Sequence, residues 1–334
     1  MTVPVGVVQL TGGRDPEQNA RDLVEAIGAL AARGARLVFT PEMSNIVERD
    51  GARLVAAARP EEADPVLAAV RAAAAAHGVG VALGSLALAG GDRRLRNRSL
   101  VIGPDGAILA RYDKLHLFDV TLPGGERYRE SATFAAGDEA VVADVPVPGG
   151  EALRLGLSIC YDLRFPALYQ ALARAGAQVL AVPAAFTVPT GLAHWHVLLR
   201  ARAIECGCWV VAAAQTGRHE DGRQTFGHSL VVSPWGEVRL DMGEERGAAL
   251  ADLDPGEVEE ARARIPALAH ARPFRAPAAG ERLPARTPGT AARSSRLEGK
   301  GASGAGAPPP GAAGPAGLGL HSGGASPMGR PRVP

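Results

Sequence analysis

The chain has 334 residues, of which 46% are apolar and 21% charged, and its formal net charge is +1. This composition is typical of a globular protein with room for a large core. No apolar run reaches the ~18 residues of a membrane span, and the N-terminus MTVPVGVVQL lacks the basic start and long apolar stretch of a signal peptide. We therefore expect a cytoplasmic protein with neither a membrane nor a nucleic acid as partner.

The three cysteines and the last 60 residues set further bounds. Cys206 and Cys208 are one residue apart, so a disulfide framework is excluded, in agreement with a reducing compartment. Residues 275–334 hold eight Lys/Arg against two Asp/Glu, together with 13 Gly and 10 Pro. Such a segment cannot bury enough apolar surface to offset its ordering entropy. We predict a folded domain over residues 1–274 and a disordered, basic Gly/Pro/Ala-rich tail over residues 275–334.

The first half of the domain alternates apolar strands with amphipathic helices. A strand over residues 5–10 precedes a helix with Asp15 as its N-cap and Pro16 in its first turn. The later predicted elements are a strand that ends at Glu42, a helix over 64–78, a strand over 79–88 and a hairpin of 97–102 with 107–112.

The second half repeats this order. A strand over 153–160 leads into a helix that ends at Gly176. The elements that follow are a strand over 177–186, a helix over 193–207, a strand over 208–216, a hairpin around the turn SPWG, a strand over 247–254 and a helix over 255–264. Two βα units and a hairpin in each half predict a layered α/β domain.

Cys160 is predicted to lie in a strand-to-helix elbow. Pro166 suits the first turn of the following helix, where a missing N–H costs nothing. An elbow of this kind exposes its side chain at the carboxyl end of a sheet and directs backbone N–H groups, such as that of Tyr161, at whatever the side chain attacks. Cys160 is therefore a candidate nucleophile, although free cysteines are also among the most buried residue types.

Two charged residues could serve such a nucleophile. Glu42 directly follows a buried strand, and Lys114 follows the hairpin, so both lie where open α/β sheets place their sites. A thiol with a pKa near ~8.5 is mostly protonated at neutral pH and needs a base, which Glu42 could provide. Lys114 could stabilise the thiolate and the later oxyanion. Each residue could instead be a solvated surface group.

Three segments carry a family resemblance: LVFTPEMSN, RYDKLHLFD and GLSICYDLRFP. In sequence and order they resemble the signature segments of the nitrilase superfamily, the carbon–nitrogen hydrolases, and the resemblance covers about residues 3–274. It implies a four-layer αββα sandwich. It also implies that Glu42, Lys114 and Cys160 are a catalytic triad that acts through a thioester.

The resemblance further implies a role for each residue of the site. Cys160 would attack an amide or nitrile carbon, and Glu42 would be the general base for the thiol and then for water. Lys114 and the Tyr161 N–H would hold the oxyanion. Many members add a second glutamate in the loop after the lysine, for which Glu130 is the best match and Glu126 a poorer one. Members commonly pair through helices next to the cysteine elbow, which implies a homodimer.

Within the superfamily the chain is most similar to the Nit branch, through TGLAHWHVLLRARAIE, AAAQTGRHEDGRQTFGHS and VVSPWGEV. This implies an amidase for deaminated glutathione or a related 2-oxo acid ω-amide. Phe186, His194 and His196 are the expected substrate-binding residues, but His196 stands where the branch usually has glutamate. The alternatives are a nitrilase, an N-carbamoyl-amide hydrolase, or a non-catalytic binding or scaffold protein on the same sandwich.

No metal or cofactor is predicted. Cys206 and Cys208 could be combined with histidines into a zinc site, but the usual CxxC pairs are missing. The glycine-rich GPDG and LPGG lack the residues of a nucleotide-binding loop. The histidines of the zinc alternative are His194, His196, His219 and His228.

Overall fold

A computed structural model describes residues 2–91, 94–122, 124–147 and 152–276 of the chain. Contacts divide the chain into the units Met1–Pro273 and Phe274–Pro334, and the first unit is described below. Almost all of the predicted tail lies outside the described residues, so its disorder stays a prediction.

Most strands belong to two six-stranded sheets, and four short ones form two separate hairpins. The strands are β1 Val3–Gln9, β2 Leu37–Phe39, β3 Gly80–Ala89, β4 Leu95–Ile102, β5 Ile108–Asp113, β6 Asp119–Thr121, β7 Arg127–Arg129, β8 Val142–Val145, β9 Leu153–Leu157, β10 Val179–Ala181, β11 Trp209–Ala212, β12 Thr216–Arg218, β13 Gln224–Phe226, β14 Leu230–Val232, β15 Val238–Asp241 and β16 Gly247–Leu253.

Seven α-helices and three short 3₁₀ turns complete the described part of the chain. The helices are α1 Pro16–Ala32, α2 Gly51–Ala57, α3 Pro65–His77, α4 Pro166–Arg174, α5 Val188–Cys206, α6 Gly256–Arg264 and α7 Ala267–His270. The 3₁₀ turns are Glu61–Ala63, Glu130–Ala132 and Cys160–Arg164.

The two large sheets have the same plan. Their strand orders are β16-β1-β2-β3-β4-β5 and β15-β14-β11-β10-β9-β8. In each sheet three consecutive βαβαβ strands pair in parallel, β1 to β3 in one and β9 to β11 in the other, and the remaining pairs are antiparallel. The predicted echo between the two halves is therefore present in the sheet topology.

Each half of the chain contributes its last strand to the sheet of the other half. Our sequence analysis did not predict this exchange. β8 follows the first half but pairs with β9 of the second sheet. β16 follows the second half but pairs with β1 of the first sheet over the whole length of β1. Each sheet therefore depends on a strand from the other half, and the two halves form one folding unit.

The layers are helix, sheet, sheet, helix. The inner faces of the two sheets share one core, in which Val5 and Phe39 of the first sheet join Leu155, Val179 and Val210 of the second. Helices α1 and α3 cover the outer face of the first sheet in a separate core. Helices α4 and α5 cover the second sheet. The predicted four-layer αββα sandwich is confirmed.

Local signals in the sequence account for the helix ends. The Asp15 side chain accepts a hydrogen bond from the N–H of Glu17 at the start of α1. Asp64 caps α3 by accepting from the N–H of Leu67, and Gly78 ends that helix in the left-handed conformation at φ 61°. The least accurate helix boundary is the start of α5, which begins five residues before the predicted 193 because Pro189 fits its first turn.

The cytoplasmic location stays a prediction. Among the described residues no helix is long and apolar enough to cross a bilayer. Cys160, Cys206 and Cys208 are all free and buried.

Candidate active site

Cys160 lies in a strained elbow between β9 and α4. Its φ of 50° is in the left-handed region, which is uncommon for residues other than glycine. Its N–H donates to the carbonyl oxygen of Pro183 at 2.8 Å. The predicted strand over 153–160 was too long, since β9 ends at Leu157 and Cys160 begins a 3₁₀ turn. The side chain borders a cavity of about 230 Å³.

Asp162 ties this elbow to the hairpin that carries Lys114. Its Oδ2 accepts from the Tyr112 hydroxyl at 2.6 Å and from the Ile159 N–H at 2.9 Å. Its Oδ1 accepts from the N–H of His116 at 3.0 Å. The carboxylate is fully buried, so these hydrogen bonds replace the water that it loses. Asp162 thereby fixes the separation between the thiol and the ammonium group.

The loop that carries Glu42 is hydrogen-bonded to an irregular part of β3. The register of β3 against β4 shifts between Leu83 and Leu86. In that interval Gly84 N–H donates to Thr40 Oγ1 at 3.0 Å and Ser85 N–H donates to the carbonyl of Pro41 at 3.2 Å. The two residues that precede Glu42 in the loop after β2 are thus hydrogen-bonded to β3.

A buried ion cluster lies beside Cys160. Lys114 Nζ is 2.9 Å from Glu42 Oε1 and 3.0 Å from the Glu130 carboxylate. The Asn97 amide donates to both carboxylates, at 3.0 and 3.2 Å, and the Ala185 N–H donates to Glu42 Oε2 at 2.9 Å. Lys114 is 2% exposed and Glu42 4% exposed. The structure therefore brings the predicted glutamate, lysine and cysteine to the lining of one cavity.

The electrostatics of the cluster decide where the protons lie. Burial alone would raise the pKa of Glu42, but the Lys114 ammonium and hydrogen bonds from Lys114, Cys160 and Asn97 bring it below its ordinary value. Burial opposes the charge on Lys114, yet Glu130 and Glu42 raise its pKa well above the usual range. Burial and then the nearby Glu42 charge raise the pKa of the Cys160 thiol. The resting site therefore holds a protonated thiol next to an ionised carboxylate.

The two candidate loop glutamates have different positions. Glu130 contacts Lys114, and its Oε2 also accepts from the N–H of Phe118 at 2.6 Å. Glu126 is exposed and accepts from the Tyr128 hydroxyl at 2.9 Å. Glu130 is thus the loop glutamate that belongs to the cluster.

Tyr161 and Phe186 border the cavity next to Cys160. The Tyr161 ring packs edge-on against Phe118 and Phe165, with centroids 5.1 and 5.4 Å apart. Its N–H lies in the first turn of the 3₁₀ segment, where a helix has no intrahelical acceptor to offer. Phe186 is 5% exposed and packs against Trp195.

His194 and His196 do not border this cavity. His194 Nδ1 lies 3.3 Å from the guanidinium of Arg164. His196 Nε2 lies 3.0 Å from Asp241 Oδ2, and the other oxygen of Asp241 lies 2.9 Å from His228 Nδ1. The expectation that both histidines bind substrate stays a prediction, since the exposed His194 lies beside Arg164 of the 3₁₀ turn and His196 lies beside Asp241 of β15.

The zinc alternative is not assembled by the fold. Within the described ranges, the group with metal-ligating geometry is His196, His228 and Asp241, whose ligand atoms lie within 4.8 Å of one another. Cys206 and Cys208 are buried elsewhere, where Cys208 Sγ contacts Arg262 at 3.0 Å.

Sequence reasoning missed two residues of the site. Asn97 was assigned only to a strand, and Asp162 lies two residues after Cys160 without having been singled out. Both residues are polar, and both stand within or beside an apolar segment of the sequence. This contrast could have identified them, because a buried polar side chain needs a hydrogen-bond partner.

One cavity of the αββα sandwich thus brings together a thiol, two carboxylates and an ammonium group. The sequence comparison identifies the family. Residues 4–263 match the carbon–nitrogen hydrolase family, and the chain belongs to it.

Individual relatives span most of the folded unit. The deaminated glutathione amidase of Synechocystis sp. is 40% identical over 268 residues, which are 79% of this chain and 96% of the relative. The solved structure of the Caenorhabditis elegans NitFhit protein has a TM-score of 0.74 and 38% identity, over 81% of this chain and 65% of that one. An amidase from Nesterenkonia sp., crystallised with acrylamide added to its active-site cysteine, has a TM-score of 0.65 and 27% identity, over 79% of this chain and 98% of that one.

The packing around Gly84 yields a stability prediction. A Cβ at this position would overlap the backbone carbonyl oxygens of Thr40 and Pro41. We expect Gly84→Ala to lower the free energy of unfolding by about 3 kcal/mol and to reduce activity by displacing Glu42. Urea denaturation and an amidase assay measure the two effects.

Gly91→Ala is the matched control, because a Cβ there meets no atom within 4 Å. We expect its free energy of unfolding to stay within about 0.5 kcal/mol of the wild type. If Gly84→Ala and Gly91→Ala had the same free energy of unfolding, the close approach of β3 to the loop that carries Glu42 would not affect stability, and the prediction would be wrong.

Proposed function

We propose that this chain is an amidase that hydrolyses the ω-amide of a 2-oxo acid, with deaminated glutathione as the leading substrate, through a thioester on Cys160. The observation that carries the proposal is the buried Lys114 between Glu42 and Glu130, in the cavity that Cys160 also borders. The 40% identical relative named deaminated glutathione amidase supports the choice of substrate.

The first step forms the tetrahedral intermediate. As Cys160 Sγ attacks the amide carbon, its proton passes to Glu42, whose lowered pKa keeps it ionised and able to accept. The negative charge that develops on the carbonyl oxygen is stabilised by the Lys114 ammonium and the Tyr161 N–H. Glu130 keeps Lys114 charged and fixed in position.

The second step breaks the C–N bond. Glu42 returns the proton to the leaving nitrogen, the amine departs, and the acyl group remains on Cys160 as a thioester. Glu42 then takes a proton from water, which attacks the thioester carbon. The C–S bond breaks, the acid is released and the proton returns to the thiol, so that the enzyme is restored without a metal or redox step.

The proposal predicts turnover by the purified chain. Deaminated glutathione and 2-oxoglutaramate should each be tested, with release of the amine or of ammonia as the readout. We expect hydrolysis of deaminated glutathione, and loss of all turnover in Cys160→Ala because no thioester can form. Cys206→Ala is the control and should retain activity, since Cys206 lies at the end of α5 away from the cavity. No turnover of either amide by the wild type would refute the substrate, and an active Cys160→Ala would refute the mechanism.

We also propose that the protein is a homodimer that pairs through α5 and its surroundings. Ile204, Trp235 and Ile265 are 55%, 49% and 59% exposed and border one surface cavity. Val197, on the same side of α5 as Ile204, is 69% exposed. An apolar surface of this kind is typical of a face that another chain covers.

Light scattering tests the dimer. We expect a mass of twice the 34.3 kDa of one chain, and a shift towards one chain in Ile204→Glu, because the new charge would be buried. Val55→Glu, at an exposed apolar position on α2, should leave the mass unchanged. A wild-type mass of one chain would contradict the proposal.

A further inference from the structure

Outside the cavity beside Cys160, the side chains of His196, His228 and Asp241 form a histidine–aspartate cluster. His196 belongs to α5, His228 lies between β13 and β14, and Asp241 is the last residue of β15. None of the three borders the cavity, and the proposed hydrolysis uses none of them. The cluster therefore has no task in the catalytic mechanism.

The spacing of the cluster suits a small divalent cation. His196 Nε2 lies 3.0 Å from Asp241 Oδ2, and His228 Nδ1 lies 2.9 Å from Asp241 Oδ1. One ligand atom from each residue lies within 4.8 Å of the ligand atoms of the other two. Bonds of about 2.0–2.2 Å to a tetrahedral zinc ion place neighbouring ligand atoms about 3.3–3.6 Å apart. Small rotations of the three side chains, each of which is partly exposed, would therefore be enough to surround an ion.

Hydrogen bonds hold the three ligands near one another without an ion. Trp195, the neighbour of His196 in α5, is fully buried, and its indole N–H donates to the carbonyl oxygen of His228 at 2.7 Å. The His228 N–H donates to the carbonyl oxygen of Gly243 at 2.6 Å, and the Gly243 N–H donates to Asp241 Oδ1 at 2.9 Å. Because the backbone is already ordered, binding would cost little conformational entropy.

The chemistry of the donors favours one class of ion. Two imidazoles and a carboxylate suit Zn²⁺ and similar transition-metal ions, whereas Ca²⁺ and Mg²⁺ prefer oxygen ligands alone. Among the residues that the structure describes, the groups within 4.0 Å of the Asp241 carboxylate that could carry a positive charge are the two histidines. A neutral imidazole that binds an ion through the nitrogen now facing Asp241 carries its proton on the other nitrogen.

We propose that the histidine–aspartate cluster binds one transition-metal-type divalent cation, of which Zn²⁺ is the representative, with water at the remaining coordination position. The site is separate from the catalytic cavity. A bound ion would join α5 to β15 and to the segment before β14, so that its expected effect is on stability.

Equilibrium dialysis of the full chain against Zn²⁺, together with thermal unfolding, tests the site. We expect the wild type to bind an ion that raises its Tm, and we expect Mg²⁺ to have no such effect. His196→Gln and His228→Gln should each weaken this binding at least about 100-fold, because the loss of a mere outer-shell partner already costs about 10- to 100-fold in metal affinity. Glutamine can still donate to Asp241, so these variants remove the imidazole but keep a hydrogen bond.

His194→Gln is the matched control. His194 is exposed on the same helix but lies beside Arg164 instead of in the cluster, so this variant should bind Zn²⁺ as the wild type does. Thermal unfolding of all variants in EDTA shows whether they fold as the wild type does. Since His196 and His228 are partly exposed, we expect each Tm in EDTA to stay close to that of the wild type.

Anomalous diffraction from a crystal of the wild type grown with Zn²⁺ locates the ion without any variant. We expect an ion about 2.0–2.2 Å from a ligand atom of each of His196, His228 and Asp241. An affinity for Zn²⁺ that is unchanged in both cluster variants, or that falls equally in His194→Gln, would overturn the proposal. So would an anomalous map with zinc only at other places, such as Cys160. Either result would leave the proposed amidase function untouched, because the cluster does not border the catalytic cavity.

Discussion

The buried ammonium of Lys114, shared between Glu42 and Glu130, is the interaction on which the rest of the site depends. Each charge loses its water on burial, at an effective cost of several kcal/mol per ion. The cost is offset by the attraction between the opposite charges and by hydrogen bonds to the remaining lone pairs of the carboxylates. Asn97 and the Ala185 N–H provide partners for the carboxylates, so the cluster is fixed in one geometry.

That geometry needs both halves of the molecule. Glu42 follows β2 of the first sheet, whereas Ala185, which donates to it, follows β10 of the second. Gln215, which follows β11, donates to the carbonyl oxygen of Glu42 at 3.0 Å and accepts from the N–H of Gly12, which follows β1. The carboxyl ends of parallel strands from the two sheets thus meet at the cavity. The exchange of β8 and β16 holds the sheets in this relation.

Much of this arrangement could be predicted from local sequence. Asp64 and Gly78 mark the ends of α3 because a cap needs a side-chain acceptor at one end and a left-handed residue at the other. Glu42, Lys114 and Cys160 could be proposed as a group because charged or reactive residues directly after apolar strands share one edge of a sheet. The resemblance of three short segments to one superfamily then gave each residue an expected role.

The remaining features depend on contacts between distant parts of the chain. The pairing of β16 with β1 joins segments more than 240 residues apart in their outermost pair, Val3 and Leu253, and no local periodicity encodes such a partner. The direction of His196 towards Asp241 follows from the rotation of α5 against β15, which the residue pattern of the helix does not reveal. Asn97 was missed for the same reason, because its two carboxylate partners come from other segments.

An acid-quenched reaction analysed by peptide mass spectrometry tests whether Cys160, beside the buried cluster, is the nucleophile. Wild-type protein mixed with excess deaminated glutathione and quenched within the first turnovers should carry the acyl group as a thioester on the peptide that contains Cys160, with at most one acyl group per chain. The same adduct should be missing from Cys160→Ala. An acyl group on a different peptide, or product formed in the first turnover while the Cys160 peptide stays unmodified, would contradict the account.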